Sequence, residues 1–95
     1  MRKSTHTPEY ERLKGHLVSL RVSAGLSQRA LAERLRVPRS WVAKIESGER
    51  RLDLIEFLWI CEAVAVDPGD TLASFLSSVT PTRDSQRATR RRGAP

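Results

Sequence analysis

Leu26 to Gly48 reads LSQRALAERLRVPRSWVAKIESG, and its spacing predicts two short helices joined by a tight turn. Ser27 is suited to an N-cap, because its hydroxyl accepts from a free backbone N–H two or three residues on. The helix it opens runs from Gln28 to Leu35. Leu31 and Leu35 are four apart and share a face, and Ala32 is small enough to admit a neighbouring helix. Pro38 marks the next start, since the first turn of a helix does not need the N–H that proline lacks. Val42 and Ile45 then face inward, which leaves Arg39, Ser40, Trp41, Lys44 and Ser47 for the other sides. Gly48 follows, where a left-handed cap costs glycine little.

Outward from this segment the same periodicity continues. Tyr10, Leu13, Leu17 and Leu20 recur on one face of a helix from Pro8 to Ala24, ended by Gly25. Asp53 caps a fourth helix to about Val64, with Leu54, Phe57, Cys61 and Val64 as its inward stripe. Asp67 caps a fifth, with Pro68 at its first position and Leu72, Phe75, Leu76 and Val79 on its face. The expected fold is an all-α bundle of five helices. Residues 1–7 form a flexible arm, residues 8–80 the folded domain, and residues 81–95 a disordered basic tail. The tail, PTRDSQRATRRRGAP, is polar and arginine-rich, and either touches nucleic acid loosely or only aids solubility.

The chain has 95 residues and a net charge of +6, enough for one small helical domain without staples. Its single cysteine, Cys61, excludes an intramolecular disulfide and sits on an apolar face, where a buried free thiol is usual. No apolar run is long enough to span a membrane and MRKSTHTPEYER lacks a leader's apolar stretch, so a cytoplasmic location is expected. Residues 8–52 hold ten basic and five acidic residues, net +5, whereas residues 53–80 hold five acidic residues and no Lys or Arg, net −5. Positive charge gathered on one half favours a polyanion at that face. There is no nucleophile beside a base, no paired-acid spacing and no glycine-rich phosphate loop. His6 and His16 lie far from any carboxylate or cysteine cluster and are read as surface residues. No enzyme activity, cofactor or metal is expected.

The pattern of Ser27-Gln28, Ala32, Val37, Ile45-Glu46 and Gly48 resembles the helix-turn-helix of Cro and the phage repressors, the XRE-like family of bacterial and phage regulators. The resemblance runs from about Leu17 to Leu72. It implies a lambda-repressor-like DNA-binding domain whose second motif helix lies in the major groove, where each base pair shows its own donor and acceptor pattern. Carried over by position, Arg39, Ser40 and Lys44 become the base readers, with Arg39 and Lys44 able to reach guanine acceptors. Gln28 either holds a phosphate at the first motif helix or merely starts that helix. Arg29, Ser47, Arg50 and Arg51 are backbone-contact candidates, and Glu46 is expected to pair with an arginine and steady the motif.

Within the motif, two residues depart from the family. Trp41 replaces a small polar residue, and either meets sugar or a thymine methyl or covers the core edge. Arg36 stands where the turn often has glycine in a left-handed conformation. Ile55 and Trp59, four apart and off the inward stripe, are large apolar groups where the family is often polar. With Phe75 and Leu76 they are expected to form a homodimer interface, the alternative being a fuller core sealed by the fifth helix. The implied function is sequence-specific binding of double-stranded DNA at an inverted repeat and control of transcription, most simply repression. The competing reading is an antitoxin or other interaction module whose fourth and fifth helices grip a partner protein.

Overall fold

The computed structural model describes residues 7–79. The proposed basic tail, His6 and nearly all of the proposed arm lie outside the described residues. Five helices follow in order: α1 Pro8–Ser23, α2 Gln28–Leu35, α3 Arg39–Ser47, α4 Leu54–Ala63 and α5 Pro68–Val79.

The starts follow from local chemistry. Thr7 Oγ1 accepts from Tyr10 N–H at 3.1 Å, Ser27 Oγ from Ala30 N–H at 3.0 Å and Asp67 Oδ2 from Asp70 N–H at 2.9 Å. At α4 the cap is reciprocal: Asp53 Oδ1 accepts from Glu56 N–H at 2.8 Å while Glu56 Oε1 accepts from Asp53 N–H at 3.0 Å, a capping box. Pro38 is itself the N-cap of α3, in extended backbone at φ −65° and ψ 151°, rather than its first helical residue. Proline's fixed φ suits both places, so the sequence locates the start only to within one residue.

Three helices end alike. The N–H groups of Leu26, Val37 and Val66 reach back to the carbonyls of Arg21, Ala32 and Cys61 at 3.0–3.1 Å. The residue before each is left-handed: Gly25, Arg36 and Ala65, with φ of 76°, 60° and 61°. This is the Schellman closure, with glycine in only one of the three places.

Two adjoining clusters make the core. Leu17, Ile45, Leu52, Phe57, Ile60 and Cys61 form one, and Leu31, Ala32, Val42 and Val64 the other. Leu20, Leu35, Trp41 and Val66 pack against both. The buried Tyr10 hydroxyl accepts from Leu52 N–H at 2.8 Å and ties the start of α1 to the segment before α4.

The α4 stripe needs correcting. Leu54 is 66% exposed and Ile60 takes the inward place beside Phe57, Cys61 and Val64. Leu54 is the first residue of its helix, beyond the end of the packed face, and lines a hollow of about 180 Å³ with Leu13, Leu52, Phe57, Leu72 and Phe75. Leu72 and Leu76 on α5 are also exposed, and Thr71 is the buried residue there. His16 is not a simple surface residue: its ring lies 5.8 Å from that of Phe75, and its Nε2 is buried with no hydrogen-bond partner among the described residues.

Candidate nucleic-acid interface

The second motif helix presents one face to solvent and the opposite one to the core. At about 100° per residue, Arg39, Ser40, Ala43, Lys44 and Ser47 fall within an arc of about 140°. Arg39, Ser40, Lys44 and Ser47 are exposed. Val42 and Ile45, on the other side, are 2% and 1% exposed. The burial of those two side chains fixes which groups α3 offers outward.

A buried polar junction holds α3 against α1 and α2. Glu46 Oε2 accepts from Arg21 Nε at 2.7 Å, and Oε1 accepts from Arg21 Nη2 at 3.0 Å and from Gln28 Nε2 at 2.9 Å. Arg21 Nη1 donates to the Leu26 carbonyl at 2.9 Å. The two charged side chains are 14% and 8% exposed. The hydrogen bonds to Glu46 raise the Arg21 guanidinium above its ordinary value, against the opposing effect of burial. Glu46 therefore pairs with an arginine as its sequence position implied. Arg21 is the member that sequence reasoning missed, because partners 25 residues apart share no local spacing.

Gln28 is half-buried and its amide N–H is used by this junction. Arg29 is exposed on the first turn of α2. Arg51 is exposed just after the motif. Ser47 Oγ donates to the Lys44 carbonyl at 3.2 Å and accepts from Glu49 N–H at 3.3 Å, which shapes the turn after α3.

Arg50 is committed within the protein. It donates to Glu56 through Nη1 at 3.0 Å and Nη2 at 2.8 Å, and its guanidinium carbon lies 5.0 Å from the centroid of Trp41, a cation–π stack. The Arg50 hydrogen bonds hold the Glu56 carboxyl below the usual carboxylate range, against its burial. Trp41 is half-buried and packs on both core clusters. Its ring thus covers the core edge on one side and meets Arg50 on the other.

Two of the dimer candidates, Trp59 and Phe75, line different hollows. Trp59, 50% exposed, lines one with Arg34, Leu35, Glu62 and Ala63. Phe75 is half-buried and lines the apolar hollow at Leu54. Ile55 and Leu76 are exposed. Leu54 and Leu58 are exposed as well, and sequence reasoning had singled out neither as an outer residue. Among the described residues there is no group of three or more His, Cys, Asp or Glu side chains that would hold a metal ion, and no helix long and apolar enough to cross a membrane.

Residues 13–75 match the family of helix-turn-helix domains. An XRE-family like protein from Pseudomonas syringae pv. tomato str. DC3000 superposes with a TM-score of 0.71 at 38% identity, covering 80% of this chain and 95% of that one. The clp gene regulator ClgR from C. glutamicum superposes with a TM-score of 0.66 at 26% identity, covering 78% and 96% respectively. No curated protein matches the chain.

Proposed function

The chain belongs to the XRE-like helix-turn-helix family of DNA-binding transcription regulators, and from that premise we propose that it reads a specific duplex DNA sequence as a homodimer and represses transcription there. The observation that carries the reading is the outward arc of α3. It leaves Arg39, Ser40 and Lys44 on one exposed face of a helix whose opposite side is held by Val42 and Ile45 and whose flank is held by Glu46. Arginine and lysine there suit the guanine acceptors of the major groove. Arg29, Ser47 and Arg51 flank the arc as phosphate contacts. Gln28 contributes through the helix start it occupies and through the second N–H of its amide, the first being given to Glu46. Arg50, paired with Glu56 and stacked on Trp41, serves the frame more than the DNA.

The dimer follows from need and from surface. One short helix reads few base pairs, so such readers double. α4 leaves Leu54, Ile55, Leu58 and Trp59 exposed, and α5 adds Leu72 and Leu76. A second copy is the covering we assign to this face. Selection from a random DNA pool tests the whole reading. The selected site should be an inverted repeat with half-sites about 34 Å apart or a multiple of that. A site without dyad symmetry would count against the dimer, and no enriched site against specificity. One observation favours a second reading, a partner protein on the α4–α5 face: that face carries acidic residues and no Lys or Arg. A monomeric free chain in light scattering would favour it.

A further inference from the structure

We propose that Lys14, on α1, is a positioning residue for the end of the reading helix and for the turn that carries Ser47 to Arg51. This rests on the DNA-binding reading above. Lys14 Nζ donates to the Ser47 carbonyl at 3.3 Å and pairs with Glu11 at 3.0 Å. For a lysine it is unusually covered, its side chain being 16% exposed. Its stem lies against Gly48: a Cβ there would stand 2.9 Å from Lys14 Nζ and 3.0 Å from Cδ. Gly48 thus answers two demands, a φ of +85° and the passage of this stem.

The Ser47 carbonyl is one of the last four of α3, which have no partner within the helix. That end carries a partial negative charge of roughly half a unit. It points into the turn whose Ser47 and Arg51 are assigned to phosphates, where it would oppose a polyanion. Lys14 supplies a cation to this end from α1, and fixes the carbonyl from which the turn departs. The Arg50 N–H bond to the Lys44 carbonyl, at 3.1 Å, closes the same turn from the other side. Lys14 acts through the turn, since its ammonium is already shared between Glu11 and Ser47.

Lys14→Met keeps an unbranched stem beside Gly48 and removes the charge. The expected result is a melting temperature lowered by only a few degrees, the size of one charge at a helix end, with binding weakened roughly three- to tenfold on specific and random DNA alike. Lys14→Arg should restore binding, because a guanidinium also donates to the carbonyl. The salt slope should stay as in the unsubstituted chain. Amide hydrogen exchange at residues 48–52, measured without DNA, should quicken in Lys14→Met. If the unsubstituted chain binds no DNA, the functional reading fails and the exchange experiment alone decides the role of Lys14. Unchanged affinity with unchanged exchange would overturn the proposal. So would a slope lowered by about 0.9, which would make Lys14 a phosphate contact in its own right.

Discussion

Three left-handed residues close three helices in the same hydrogen-bonded geometry, and only Gly25 has the side chain that geometry prefers. A left-handed backbone costs a residue with a Cβ roughly 1–2 kcal/mol, and glycine gives part of that back through its freer unfolded chain. Arg36→Gly and Ala65→Gly should therefore each raise stability, by up to about 1 kcal/mol, in urea denaturation. Unchanged or lower stability would mean that Arg36 or Ala65 gains something from its side chain that the turn alone does not show. Gly25→Ala should lower stability by about 1 kcal/mol through backbone strain alone, since nothing lies within 4 Å of the added Cβ. Gly48→Ala should cost more, because the same strain is joined by the clash with Lys14. At Glu56 the consequence is set by pH. Its carboxyl is held below its ordinary value of 4.5 by Arg50. The pair's contribution is complete above that value and is lost as pH falls through the lowered one. Melts of the unsubstituted chain and Glu56→Gln should differ at pH 7 and converge in acid.

Among the elements, α4 is the most apolar. Its sequence, LIEFLWICEA, is apolar on nearly every side, and a helix of that kind is ordinarily buried all round. In the single chain it is buried on one side only. Trp59→Glu should then give a folded monomer with much weaker DNA binding, read by light scattering beside a circular dichroism melt. Half of the Trp59 surface is already in water, so the charge need not enter the core. A variant that stayed dimeric would place the interface elsewhere. The same helix shows how far sequence reading reaches. Its start was legible, because a cap is a local bond between Asp53 and a backbone N–H three residues on. Its inward face was not fully so, because periodicity ranks Leu54 with Phe57 and Cys61, and only the position of the neighbouring helices decides that Ile60 is covered and Leu54 is not. At α2 and α3 the reading held more closely, since Leu31, Ala32, Val42 and Ile45 are few and unambiguous. The outward residues of α3 followed by subtraction, except Trp41, whose bulk is shared between the core and Arg50.

At the scale of the whole folded domain, charge divides between the two proposed contact faces. Residues 8–52, which hold the proposed reading helix, are net +5, and residues 53–80, which hold α4 and α5, are net −5. DNA should attract the first and repel the second, so binding should weaken steeply with salt. Arg51→Ala should weaken binding to every sequence and lower the salt slope by about 0.9. Arg39→Ala should lose discrimination at one base pair, at a cost of about 1–3 kcal/mol. Equal weakening of all sequences by both variants would remove Arg39 from base reading. Long-range arrangement was the part least visible in the sequence: the Arg21–Glu46–Gln28 junction and the Arg50–Trp41 stack each join residues that no local pattern links.

The two tryptophans of the chain stand on these two halves, Trp41 beneath Arg50 beside the reading arc and Trp59 on the outer side of α4. Each is therefore a separate built-in fluorophore for one of the two proposed contacts. In a Trp59→Phe chain, emission should respond to added operator through Trp41. In a Trp41→Phe chain it should respond to protein concentration, with Trp59 shifting to the blue as water leaves its ring. Light of one wavelength would then time the order in which the protein meets its own copy and meets DNA.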